Sequence, residues 1–393
     1  MIEHLRNKFN SLYSRESETR VLQELQKRAN EPATFRVSES PIFLPLGFKN
    51  KLKSTCKSII DQIEHFSIES LEKAIPNEWK VPNCNSFSHF LAIDFAICQN
   101  KEMQLEPQLI ELQGFPSLFS FQYELTRAFE KTYPFLKSLE KSTDLEDPLN
   151  VLKSALLGSH EPKEVVLLEL YPQKQKTSID FALTEKHLGI YTLCVTQVKK
   201  EGKQLFYEYK GEKIPIRRIY NRVIFDELAQ HKDLNLEFEF QEELDVEWIT
   251  HPNWFFMISK FLLPRLKHPY IPPSYYASEF PSEESISKYV LKPLFSFAGA
   301  GVNLTPSRED LLKIEDPDNY ILQKKVTYAN LFKDLEGGYS KAEIRMLYLR
   351  SSQQEEPVLW DTLVRMTKSP MAGMSYAQKE DTWIGSSAAF FEP

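Results

Sequence analysis

The stretch FLAIDFAI, residues 90–97, sets one carboxylate in the middle of an almost unbroken apolar run. Such a run reads as a strand buried on both faces, and an ionised side chain is costly to bury alone, so Asp94 needs a partner from elsewhere in the chain. After a polar turn, QNKEMQLEP, apolar character resumes at 108–112 and predicts a second, antiparallel strand. In that hairpin Asp94 and Glu111 sit on neighbouring strands facing one way. Gln113, two residues beyond Glu111, shares its face. Two carboxylates and an amide oxygen suit Mg2+, which takes a few protein oxygens and completes its shell with water and phosphate. The alternative is that Asp94 is a strand acid with a buried partner and Glu111 lies on the surface.

The complementary charges lie mainly in the last third. Lys260 stands in MISKF, Lys324 and Lys325 in LQKKV, Arg345 in EIRML and Arg365 in LVRMT, with Arg222 earlier in YNRVI. Arg345 and Arg365 interrupt strand-like apolar runs, so they either meet structural carboxylates or line a cleft that holds anions. Between them and Lys260, YVLKPLFSFAGAGVNL (289–304) places Lys292 at the end of an apolar strand, followed by Ser296 and the small residues Gly299, Ala300 and Gly301. Glycine lets backbone N–H groups approach a phosphate while the lysine supplies a cation. The segment matches neither G-x-x-x-x-G-K-[ST] nor G-x-G-x-x-G, and by itself it also reads as an ordinary hairpin with small turn residues.

At 393 residues the chain has room for two or three domains. Residues 1–31 carry helical spacing and 35–45 reads as extended. EVVLLELY, TSIDFALTEKHLG and IYTLCVTQV follow one another as strand, helix and strand, the opening of an α/β unit with parallel pairing. LFYEY and KIPIRRIYNRVI flank a turn at Lys210-Gly211 and predict a hairpin, and HPNWFFMISKFLLPRL predicts a helix. With 48 Lys+Arg against 55 Asp+Glu the net charge is −7, which gives no footprint for nucleic acid or an anionic membrane. The four cysteines show no C-x-x-C spacing and read as free thiols. No signal-peptide pattern opens the sequence and no apolar run approaches a membrane span, so a cytoplasmic protein is expected.

The segment HPNWFFMISKFLLPRLKHPYIPPSYY followed by YVLKPLFSFAGAGVNL resembles the corresponding region of glutathionylspermidine synthetases and related circularly permuted ATP-grasp proteins. IELQGFPSL resembles that family's metal-binding strand, and FLAIDF the strand before it. The acidic strand precedes the lysine loop by 181 positions (292 − 111), as in the permuted group.

The resemblance spans roughly 90–393. It implies an α+β / α/β chain with an ATP-grasp fold in permuted order and an inserted pre-ATP-grasp-like α/β domain. Residues 1–139 would hold N-terminal helices and the metal-binding hairpin, 140–250 the inserted domain, and 251–393 the nucleotide-binding lobe with the rest of the core. Lys260, Lys292 and the 296–301 loop would contact ATP, with Gln323, Lys324, Lys325 and Val326 as the strand beside adenine. Asp94, Glu111 and Gln113 would hold Mg2+, and Arg365, with Arg345, would stabilise the transferred phosphoryl group. Ser117 and Arg222 are candidates for holding an acceptor carboxylate.

Two departures stand out: Ala92 replaces a family arginine, and Gln113 an asparagine. The expected activity is ATP- and Mg2+-dependent joining of a carboxylate to an amine on a peptide-like or amino-acid substrate. The alternatives are a catalytically impaired nucleotide-binding protein and a phosphotransferase using the same cleft.

Overall fold

The computed structural model describes the chain except residues 232, 297–299, 334–337 and 370–382 and the side chains of 383 and 384. Its largest sheet is assembled from two distant parts of the sequence. The strands lie in the order β1 (Ile42–Pro45), β17 (Trp383–Glu392), β16 (Val358–Thr367), β15 (Tyr339–Leu349), β2 (Phe90–Gln99) and β3 (Leu105–Gln113), with β14 (Phe332–Lys333) also on β15. β1 pairs parallel to β17, and the other pairings in this sheet are antiparallel.

Helices cover both faces, which explains why the central strands are not alternately polar. On one face the helix Leu46–Glu64 buries Leu52, Cys56, Ile59 and Ile63 against Leu44, Ile93, Phe95 and Phe391. On the other, helices Glu3–Leu12, Arg15–Ala29 and Phe119–Thr132 bury Phe9, Leu25, Phe121 and Phe129 against Phe43 and Phe390. The amphipathic spacing read in residues 1–31 is thus satisfied by a helical layer.

The α/β unit expected after residue 140 contains a parallel sheet in the order β10 (Glu247–Ile249), β9 (Arg218–Asn221), β4 (Val165–Glu169), β5 (Tyr191–Cys194), with the helix Ser178–Leu188 between β4 and β5. Asp180 on that helix accepts the N–H of Leu118 and of Phe121, each at 2.9 Å, and so caps the helix Phe119–Thr132 beside the main sheet. KIPIRRIYN does not run on as one strand. Its first half, β8 (Glu212–Ile216), pairs with β7 (Gln204–Tyr209), and β7 with β6 (Lys199–Glu201). The chain then changes sheets and enters β9.

A fourth sheet, antiparallel throughout, with the order β11 (Ser274–Tyr276), β13 (Tyr320–Lys324), β12 (Tyr289–Pro293), carries the lysine loop, which returns to pair Asn303 with Leu291. The helix expected over 251–266 is broken. One α turn, Trp254–Met257, is followed by extended Ser259 and 3-10 turns at Lys260–Arg265. Ser259 Oγ accepts the N–H of Phe261 and donates to the Phe256 carbonyl, and Pro264 lies inside the second segment.

This lobe docks on the open edge of β3. Leu109 N–H donates to the Tyr270 carbonyl at 2.9 Å and Gly114 N–H to the Ile258 carbonyl at 2.8 Å. Gly114 is needed for that approach, because a Cβ there would lie 2.4 Å from the Trp254 carbonyl oxygen and 2.8 Å from Ile258 Cβ. Gly114→Ala is therefore expected to lower unfolding free energy by about 1–3 kcal/mol, measured by urea denaturation. An unchanged midpoint would show that the contact yields freely.

Candidate functional site

The hairpin register places Asp94 opposite Glu111 and Ala92 opposite Gln113, as the period of two requires. A bulge follows: Phe95 pairs with Leu109, which leaves Ile110 as an extra residue on β3. Its carbonyl accepts a hydrogen bond from Lys292 Nζ at 3.2 Å, so the irregular backbone meets the lysine strand directly.

Asp94 is fully buried. Arg345, its register partner on β15, donates Nε to Oδ1 and Nη2 to Oδ2, both at 2.7 Å. Arg365 on β16 donates Nη2 to Oδ2 at 2.7 Å and also lies 2.7 Å from Glu343 Oε2. Glu343, opposite Arg365 in the β15–β16 register, accepts the Tyr328 hydroxyl at 2.5 Å. Burial alone would lower the Arg365 pKa, but Glu343 and Asp94 drive it upward, so the guanidinium stays charged.

Next to this cluster, Lys260 Nζ pairs with Glu111 Oε1 at 2.7 Å and donates to the Ser296 carbonyl at 2.8 Å. Ser296 Oγ is buried without a hydrogen-bond partner among the described residues. Gln113 Nε2 donates to Glu111 Oε2 at 3.2 Å. Burial pushes the Glu111 carboxyl upward, yet the ammonium of Lys260, aided by Lys292 and Arg365, more than offsets this and holds it at about 2. Lys292 donates to Gln323 Oε1 at 2.6 Å as well as to Ile110. Burial lowers its pKa to about 8, with Glu111 resisting the change.

Asp94, Glu111, Gln113, Lys260, Lys292, Ser296, Gln323, Arg345 and Arg365 thus meet in one place, and Glu343 and Tyr328 join them. Sequence reasoning missed Glu343, although its spacing of two from Arg345 puts both on one face of β15. The other candidates lie apart. Lys324 and Lys325 are exposed, with Lys325 Nζ donating to the Ser287 carbonyl at 2.6 Å, and Val326 is partly buried. Ala300 and Gly301 are exposed; Gly301 has φ +70°, and a Cβ there would lie 2.8 Å from Pro293 Cγ. Gly299 lies outside the described residues. Arg222 Nη1 donates to the carbonyls of Phe115 (3.3 Å) and Pro116 (2.9 Å), bracing the loop that carries Ser117.

Magnesium, which the resemblance implies, needs oxygens with open lone pairs. Asp94 accepts three hydrogen bonds from two arginines, Glu111 is paired with Lys260, and Gln113 turns its amide N–H toward Glu111. The three residues in this arrangement do not fit a resident magnesium ion. Among the described residues no group of three or more His, Cys, Asp or Glu side chains is placed to hold a metal.

Ala92 is buried in an apolar cluster with Phe90, Phe119, Leu347, Trp360 and Leu363. Among the described residues no helix is long and apolar enough to cross a membrane.

Arg345→Met leaves the buried Asp94 carboxylate with one cation instead of two. It is expected to cost about 3–5 kcal/mol in chemical denaturation, and a loss under 1 kcal/mol would show that Arg365 suffices. Because the folded Glu111 pKa lies below its ordinary value of 4.5, its contribution to stability is present above about pH 4.5 and lost as pH falls toward 2. The stability difference between the native chain and Glu111→Gln is expected to shrink over that window, read from denaturation midpoints against pH.

No family model matches the sequence, and no curated protein matches it. Among solved structures, the apo form of a glutathione synthetase-like effector (GSS30) from Globodera pallida aligns with a TM-score of 0.59. The alignment covers 96% of this chain and 96% of that one, at 10% sequence identity. A likeness that spans both chains at so low an identity is one of fold: this chain has a mixed α+β fold similar to that of a glutathione synthetase-like protein.

Proposed function

We propose that the chain is an ATP-dependent carboxylate–amine ligase of the ATP-grasp kind, in the permuted order read from its sequence. The observation that carries this reading is the convergence of Lys260, Lys292, Arg345 and Arg365, drawn from separate segments, on the acidic hairpin of β2 and β3. The glutathione synthetase-like fold supports the same class.

In the proposed reaction a substrate carboxylate oxygen attacks the γ-phosphorus of ATP and ADP leaves. The amine then attacks the acyl carbon, losing a proton as phosphate departs. Negative charge gathers on the phosphoryl oxygens in the first step. In this reading Lys260 and Lys292 would neutralise it from the loop side and Arg365 from the sheet side, while Asp94 and Glu343 hold Arg365 in position. The described part of the lysine loop flanks this cluster, where its proposed task is to keep water from the acylphosphate. Arg222 would keep the Ser117 loop in place for the acceptor substrate.

A second reading, nucleotide binding without ligation, draws on Ala92. Ala92 itself supplies no cation where the resembling enzymes carry one, and it is buried among Phe90, Phe119, Leu347, Trp360 and Leu363. Incubation with ATP, pooled amino acids, polyamines and peptides separates the two. Ligation is expected to release ADP and phosphate and to yield a product of amide mass. ATP binding without substrate-dependent ADP supports the second reading. Lys292→Gln is expected to reduce turnover by about a hundredfold or more with the fold intact by circular dichroism, and full activity in that variant would remove Lys292 from the site.

A further inference from the structure

We infer that the cleft accepts the triphosphate of ATP without a divalent cation, its ammonium and guanidinium groups taking over charge neutralisation. The inference rests on the nucleotide-binding reading above and concerns only what balances the phosphates.

Each carboxylate that a metal would need already has cationic or hydrogen-bonding partners. Asp94 is gripped by Arg345 and Arg365. Glu343 is held by Arg365 and Tyr328, and Glu111 by Lys260 and the Gln113 amide. A dication approaching Glu111 must displace the Lys260 ammonium or lie beside it, and either course opposes like charges at short range.

Phosphate meets the opposite situation. Lys292 is buried, yet its two hydrogen-bond acceptors are neutral, the Gln323 side-chain oxygen and the Ile110 carbonyl. Among the described residues no salt bridge joins it to a carboxylate, and an ammonium has a third N–H to offer. Lys260 likewise has two acceptors for three donors. The cluster therefore sets four cations against three carboxylates, Asp94, Glu111 and Glu343. An incoming anion relieves that excess, whereas an incoming dication enlarges it.

The test is calorimetric titration of the full chain with ATP, once in excess EDTA and once in saturating MgCl2. The two dissociation constants are expected to agree within about threefold. Weakening by about tenfold or more in EDTA would overturn the inference while leaving nucleotide binding intact. Absence of binding in both buffers would overturn the inference and the nucleotide reading together.

Glu111→Gln, checked for folding by circular dichroism, provides an independent comparison. Removing the negative charge that engages Lys260 is expected to tighten ATP binding in EDTA relative to the native chain, and weaker binding in EDTA would overturn the inference. A loss of affinity seen only with MgCl2 would identify Glu111 as a metal ligand and reject the inference.

Discussion

A carboxylate with no exposed surface at the centre of a strand is the constraint around which this fold is arranged. A carboxylate buried there is costly without cations close by, and the neighbours of Asp94 on β2 are apolar. The cations come from β15 and β16, so satisfying Asp94 also favours β15 beside β2 and brings Arg365 across from the next strand. Glu343 then balances the second arginine. Stability and the charge balance of the candidate site draw on the same side chains.

The second organising element is the outer edge of β3. An unpaired strand edge invites association with other chains, and here the lobe containing β11, β12 and β13 covers it. Leu109 and Gly114 donate their backbone N–H groups to that lobe. Gln323 donates to the Leu109 carbonyl at 3.0 Å, and Lys292 reaches the carbonyl displaced by the bulge at Ile110. The lysines are therefore positioned by the same contacts that close the sheet edge.

The acidic hairpin was legible because strands buried on both faces leave a continuous apolar run and because side chains alternate with a period of two. That Arg345 and Arg365 need anionic partners, structural carboxylates or anions held in a cleft, follows from the cost of burial; which carboxylates they meet depends on strand order, which periodicity does not encode. Lys324 and Lys325 show the limit. Alternation sends Gln323 into the cluster and Lys324 to solvent, and the dipeptide's charge says nothing about which face is inward. The segment 251–266 is buried or half-buried throughout, so helical spacing carries little information, and Pro252, Ser259 and Pro264 govern its path instead. The passage from β8 to β9 contains no turn residue to mark the change of sheet.

The central sheet joins β1, formed near residue 42, to β17, which ends at Glu392. On a translating ribosome, β1 and the β2–β3 hairpin must wait through more than two hundred residues of synthesis before β15, β16 and β17 exist to pair with them. Until then the Asp94 strand lacks its arginine-bearing neighbour, and the nascent chain carries an apolar ribbon that invites chaperone capture.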